Sequence, residues 1–465
     1  MNRQIIISVI VLSVAFSAGF AGPAEISQPG VGLTIYDDNF AVVRDARQVQ
    51  FKKGCNTIKF ADVADAIDLT SVNFRPIGAP EAVSILEQGY EYDLAGLASL
   101  LSRYIDKDIT VTIKGSGADI SREITGQLLA ADGRDLILKS GTNNIEILKQ
   151  ESIENILLKE VPDDLAVKPT LLWLAEAKQD CSHLCQASYI TERVGWDVDY
   201  LVVLNSDGTQ VDVTGWVTID NKSGTTYKDA AIKLIAGDVR RARKGVPVYR
   251  EKLRAVAMEA PMAGFEEKAF AEYHLYTLGR TTTINNNQAK RIEFIDPASG
   301  VAVKKLYIYD RSRQRDKVQI KIEFENTEEN NLGVALAKGK LRLFKKDPAD
   351  ESLEFIGEDR IDHTAKGEKL SLYIGNAFDI AAEYTMLEQE VNRRMRREKH
   401  KIELRNRKSQ AVEVFVDEKF PPNVNWTIDQ ATHKYIKRDA HTARFEVKLE
   451  ADSTALIQYT ATQRW

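Results

Sequence analysis

The sequence has few of the features that announce a chemistry. Three cysteines in 465 residues exclude a disulfide-built scaffold. The 63 basic and 68 acidic side chains leave a net charge of −5, too mild to announce nucleic acid as the main partner. No run beyond the N-terminus approaches the roughly 20 apolar residues a membrane span needs. The six histidines (His183, His274, His363, His400, His433 and His441) form neither H-x-H nor H-E-x-x-H, so a metalloprotease helix is absent. No G-x-S-x-G elbow occurs, and Gly115-Ser116-Gly117 reads as a hairpin turn. There is no P-loop and no G-x-G-x-x-G after a strand, so no cofactor is indicated. Serine, cysteine and histidine catalysts that converge only in space stay open.

What is present is an ordinary globular mix, 43% hydrophobic and 28% charged. The length suggests about three domains. Residues 1–21 read as a secretory signal: Arg3 for the n-region, Ile5 to Phe16 for the apolar core, Gly19 and Ala21 before the cut. The alternative is an uncleaved anchor, for which the apolar run is short. The expectation is an exported chain, periplasmic or extracellular, soluble after cleavage near Ala21 and without a transmembrane span. In that compartment Cys181-Ser182-His183-Leu184-Cys185 has two readings. Cys181, His183 and Cys185 could hold a metal, or Cys181 and Cys185 could be bridged or free in a loop.

Period-2 alternation dominates the rest. In Lys317–Glu325, Val318, Ile320, Ile322 and Phe324 share a face opposite Lys317, Gln319, Lys321, Glu323 and Glu325. Only a strand with one wet face needs that pattern. Val211, Val213, Val217 and Ile219 repeat it before an Asn221-Lys222-Ser223-Gly224 turn, as do Ala443, Phe445, Val447 and Leu449. Mainly β architecture follows, organised as multidomain β-sandwiches. The expected divisions are a β domain over 22–88, a small unit over 89–160, a central sandwich over 161–385 and an Ig-like sandwich over 386–465. Residues 240–267 break the period and read as an excursion between strands. Residues 383–401 fit a helix through Met386, Leu387, Glu390, Val391 and Met395. They fit equally a hairpin whose tip carries Arg393, Arg394, Arg396, Arg397, Lys399 and Lys401. That cluster is either an anion or surface contact or a solvated end near Glu388, Glu390 and Glu398.

In the 89–160 unit, Asp93 can cap a short helix with Leu94, Leu97, Ala98, Leu101 and Ile105 on one side. Five short strands follow, with Leu128-Leu129-Ala130-Ala131-Asp132-Gly133 leading into the third. This unit resembles the Sm-like (SH3-type) barrel. Sm proteins bind RNA through loops of a ring. Asp132-Gly133-Arg134 lacks the asparagine usual after such a loop, so the resemblance implies the barrel and not RNA binding.

A second resemblance covers most of 161–465. Its carriers are Thr214-Gly215-Trp216-Val217-Thr218-Ile219 with the Asn221–Gly224 turn, and Leu234-Ile235-Ala236-Gly237-Asp238-Val239. Others are Glu272–Leu278 and Asn286–Lys290. The clearest is Gly357-Glu358-Asp359-Arg360-Ile361-Asp362-His363-Thr364, continuing to Gly375-Asn376-Ala377-Phe378-Asp379. The chain resembles bacterial proteins carrying domain of unknown function 4139. Thr34–Tyr36, Asn56–Phe60 and Ile67–Val72 look like the β domain that often precedes it. The family's activity is unknown, so no catalytic residue carries over.

The sharpest candidate site lies in the same motif. On a strand, Asp359, Ile361 and His363 share a face opposite Glu358, Arg360 and Asp362. Asp359, Asp362 and His363 could act as an acid–base group or bind a metal. The plainer reading is an Arg–carboxylate network, with Asp362 and Thr364 forming the next turn. Trp173, Trp196 and Trp216 read as core or interface, and an exposed aromatic strip would instead stack on sugars. Three functions are therefore carried forward. The first is a non-catalytic interaction or scaffold protein of the cell envelope with an unknown envelope partner. The others are a secreted hydrolase using the 358–363 groups and a glycan-binding module.

Overall fold

The computed structural model describes residues 28–91, 97–114, 121–131, 135–141, 144–159, 168–237, 239, 241, 261–262, 265–270, 273–313 and 316–465. The signal segment 1–21, the Asp132-Gly133-Arg134 loop and most of the 240–267 excursion lie outside the described residues. The alternation read from sequence becomes burial. In Val194–Leu204, Val194, Trp196, Val198, Tyr200, Val202 and Leu204 are buried and the residues between them are not. Val211, Val213, Val217 and Ile219 are buried on the next strand, Gln210–Asn221. The Asn221–Gly224 turn then closes with Gly224 at φ +90°, where a Cβ would stand 2.5 Å from the Asp65 carboxyl group.

Local alternation does not choose partners, and here the partners correct the expected division. Gly30–Tyr36 pairs in parallel with Tyr227–Ala236, Leu33 facing Ile232. Phe40–Phe51 pairs with Cys181–Glu192, Val43 facing Tyr189. Residues 22–88 are thus not a separate domain. Their strands lie inside a sheet completed by the central region. A block that short buries only about 60% of its surface on its own, so a shared sheet adds to its burial. A smaller sheet places Thr170–Ala177 between Gly54–Ala61 and Val83–Glu91. Trp173 joins the two sheets, edge-on to Phe60 at 5.3 Å and stacked on Phe74 at 4.4 Å. On the other side Trp196 meets Tyr276 at 6.4 Å and Phe294 at 6.2 Å, so a third sheet shares the same core.

The 89–160 unit has strands Asp108–Ile113, Arg122–Ala131, Asp135–Ser140, Asn144–Lys149 and Ile153–Leu158, after a helix over Leu97–Ser102. The last strand lies beside the first, and the others follow in sequence order. Among the described residues Asn144–Lys149 and Ile153–Leu158 form no ladder with each other, so the sheet is open where a closed barrel was expected. It has its own core, including Leu101, Ile109, Val111, Leu128 and Leu138.

The last nine-stranded sheet folds over on itself. Phe445 and Tyr459, on strands far apart in its order, bring their rings to 5.0 Å. Residues 383–401 are a hairpin, not a helix. Strand Lys369–Val391 pairs with Met395–Asn406 across an Asn392–Arg394 turn. The expected boundary at 385/386 therefore falls inside a continuous strand. That strand serves two cores: Leu370 and Leu372 pack in the larger one, Ile380 and Ala382 in the C-terminal one. Its neighbour Lys317–Glu325 does likewise with Phe324 and Val318. Three fully buried asparagines, Asn221, Asn326 and Asn406, stand at or just past strand ends. Asn326 shows the device. Its Nδ2 donates to the carbonyls of Val334 (2.6 Å) and Ala365 (2.9 Å), and its Oδ1 accepts from the Gly333 amide (3.1 Å).

Candidate functional site

The structure does not gather Asp359, Asp362 and His363. Strand Leu353–Ile361 ends before Asp362, so the shared face expected for Asp359 and His363 stops short. Asp359 accepts the amides of Tyr373 (2.7 Å) and Arg360 (2.9 Å), which uses both its oxygens on backbone. Asp362 is exposed, and its carbonyl accepts the Thr364 hydroxyl at 2.8 Å. Arg342, not Arg360, carries the ion-pair network, reaching Asp199 at 3.1 Å and Glu358 at 3.6 Å. His363 turns toward Asp37, which sits in the turn after Gly30–Tyr36. Its Nδ1 accepts the Lys338 amide at 3.1 Å, so its Nε2 presents a proton to Asp37, 3.5 Å away. The Lys338 ammonium lies 2.8 Å from the same carboxylate oxygen. Burial pushes the Asp37 carboxyl up, but the adjacent His363 and Lys338 side chains outweigh it and hold it below the usual range. Both ring nitrogens of His363 are engaged in tying two hairpin ends together.

Cys181, His183 and Cys185 lie on one extended strand, Cys181–Glu192, and all the cysteines are free. Four steps along the strand separate the two cysteines by about 13 Å, against the roughly 7 Å limit for a bridge. The bridged reading therefore fails in this conformation. Burial pushes the Cys185 thiol up to about 12. The same spacing keeps Cys181, His183 and Cys185 from converging on one ion. Among the described residues no group of three or more His, Cys, Asp or Glu could hold a metal. Trp173, Trp196 and Trp426 are buried in cores, while Trp216 and Trp465 are partly exposed.

One constellation was not read from the sequence. On Met395–Asn406 the inward residues Ile402 and Leu404 give way to His400, Glu398 and Arg396 toward the hairpin tip. Glu418 faces them, bonded to the Arg311 guanidinium and accepting the Tyr459 hydroxyl at 2.7 Å. Glu398 accepts from Arg396 at 2.6 Å and Gln389 at 2.8 Å. His400 is 1% exposed, and its Nδ1 lies 2.9 Å from the Tyr384 hydroxyl. Its Nε2 and the Arg396 Nε are buried with no hydrogen-bond partner among the described residues. Burial lowers the His400 pKa from the ordinary histidine value, which favours the neutral ring at pH 7. Burial first, and the Glu418 carboxylate second, keep Tyr459 protonated. Two arginines thus face two glutamates around a neutral imidazole, a balanced set that closes the end of the sandwich. The alternation Arg396, Glu398, His400 was its only sequence signal, and it was masked by Arg397, Lys399 and Lys401 between them.

A shallow groove of about 490 Å³ marks the junction of the two cores, rimmed by Lys304, Glu323, Glu325, Glu329 and Lys369. The hairpin end is the other feature of note. Exposed Met386, Leu387 and Val391 lead into exposed Arg393 and Arg394.

Residues 185–465 match a family described as Domain of unknown function (DUF4139), and the chain belongs to it. The match begins within the strand Cys181–Glu192, after the 89–160 unit. No curated protein matches the chain at a significant level.

Proposed function

We propose that this is an exported, non-catalytic β protein that holds a partner in the cell envelope. The observation that carries the reading is the outer half of strand Lys369–Val391. It pairs with Lys317–Glu325 only as far as Ala381. From Glu383 to Val391 it pairs with Met395–Asn406 alone, leaving its other edge open among the described residues. An open edge offers unpaired amides and carbonyls, a ready template for a partner. Met386, Leu387 and Val391 are each at least 40% exposed beside it. No cofactor is required. Export supports the reading through the signal at 1–21, and N-terminal sequencing of the secreted chain beginning after Ala21 is its check.

The test of the interaction is a photo-crosslinker placed at Leu387 or Val391 in cells. Adducts are expected there and not at Ile436, which is equally exposed on the far edge of the same sheet. Equal or absent labelling at all three positions would reject the reading.

The hydrolase alternative has one observation behind it, the buried His400, Glu398 and Glu418 group. Its own test is a hydrolytic activity lost in both His400→Ala and Glu418→Gln with folding intact.

A further inference from the structure

Basic side chains along the hairpin are matched to carboxylates until its end is reached. Arg405 reaches Glu383 at 2.8 Å, Lys401 reaches Glu403 at 3.8 Å, Lys399 reaches Glu388 at 3.2 Å and Arg396 reaches Glu398 at 2.6 Å. Arg393, Arg394, Arg397 and Arg464 are exposed and make no ion pair among the described residues. They are neighbours. Arg393 and Arg394 form the turn, and Met395 between them and Arg397 faces Arg464 across the ladder. The one acidic side chain in register with the group is Glu390, opposite Arg397.

The turn is held firmly. The Asn392 amide donates to the Met395 carbonyl at 2.9 Å, and the Asn392 side chain accepts the Arg394 amide at 3.0 Å. Trp465 is fastened to the same turn. Its amide donates to the Arg394 carbonyl at 3.3 Å and its Nε1 to the Arg393 carbonyl at 3.0 Å. The ring's only polar atom is thereby satisfied, while the residue stays 56% exposed. Val391, at the last position before the turn, is 59% exposed.

A rigid turn that displays unpaired arginines next to an indole and an aliphatic side chain has the composition of a membrane–water interface anchor. Arginines meet phosphate groups there, and aromatic rings sit at headgroup level. We infer that the hairpin end, through Arg393, Arg394, Arg397, Arg464 and Trp465, docks on an anionic lipid surface. Anionic charge in the partner is required by the unmatched cations. A lipid rather than a soluble polyanion is favoured by Trp465 and Val391, whose exposed apolar surface a dissolved polyanion would leave wet. The net charge of −5 over the whole chain opposes nonspecific adhesion, so contact is confined to this end.

This inference rests on the reading of the hairpin as an interaction surface and names its partner. The experiment is sedimentation of the full chain with vesicles of phosphatidylcholine, alone or mixed with phosphatidylglycerol. Binding is expected only to the mixed vesicles, and it should weaken as salt rises. The triple variant Arg393→Ala, Arg394→Ala, Arg464→Ala should lose about a hundredfold in affinity, from three side chains near a charged surface. Trp465→Phe should retain binding and Trp465→Ala weaken it, with circular dichroism reporting intact folding. Lys448→Ala, on another strand of the sheet, should bind normally. Equal binding to neutral vesicles, no binding by the wild type, or an unaffected triple variant would each overturn the inference. Protein adducts from the crosslinker without vesicle binding would overturn the lipid partner alone. Absent adducts together with absent vesicle binding would remove both readings.

Discussion

Trp173 shows how single side chains hold this molecule together. It is 1% exposed, touches Phe60 and Phe74 from different sheets, and donates its Nε1 proton to Gln88 at 3.0 Å. Trp173→Ala should cost about 4 kcal/mol in urea unfolding, because the surrounding strands cannot collapse into the space. His400 sets a different kind of dependence. Its folded pKa is depressed by burial. Its stabilising share is therefore full above the unfolded value of about 6.5 and is lost as pH falls toward the folded value. The urea midpoint should drop between pH 7.5 and 5.0, and His400→Gln should flatten part of that drop. An unchanged slope in the variant would show that other groups carry it. Residues of this kind were only partly legible. Tryptophan in an alternating strand announces a core, but His400 read as one more polar residue in a basic segment. The 358–363 motif is the opposite case, where the plainer network reading is the one the contacts resemble, with Arg342 in the place of Arg360. Its charged letters are dense, yet their bonds go to backbone amides and to Arg342, Lys338 and Asp37, which are distant in sequence.

At the scale of elements, alternation was the strongest signal. Strands such as Val194–Leu204 and Thr442–Leu449 bury alternate side chains as the pattern requires. The segment 383–401 supported two periods at once, and pairing with the neighbouring strand decided between them. Strand ends were less legible, because the asparagines that fix them act through carbonyls brought from elsewhere in the chain. Asn326→Ala should cost about 2 kcal/mol, since it leaves the buried Gly333 amide and the part-buried carbonyls of Val334 and Ala365 without this partner. Asn326→Asp should be no better, as it replaces the donor that those two carbonyls need. A loss below about 1 kcal/mol in chemical denaturation would show that the loop re-forms its bonds in another way.

For the whole molecule, local pattern showed the strands but not the units they join. A mainly β chain with an added small unit was legible from turns and hydrophobic spacing. That residues 30–76 would complete a sheet with residues 181–278 was not, because strand pairing over such distances leaves no local mark. The 89–160 unit is the seam that sequence did locate. It leaves the chain after Glu91 and returns before Thr170, and these two residues face each other on adjacent strands. Replacing residues 92–169 by a short glycine-rich turn should leave a protein that unfolds cooperatively, with a melting point within several degrees of the intact chain. Loss of cooperative unfolding would mean that the unit supports the larger core.

The two strands that pass from one core to the other have a mechanical meaning. Lys317–Glu325 and Lys369–Val391 are a splice rather than a hinge, because each core grips a different half of the same two strands. Tension applied at the hairpin end would run down Lys369–Val391 and load its ladder in shear along the strand, through the bulged register between Asn376 and Ala381. Pulled between Arg393 and the larger core, the two cores should give way in one event rather than two. A chain anchored at a surface by that end would then pass strain from the C-terminal core into the larger one through these two strands.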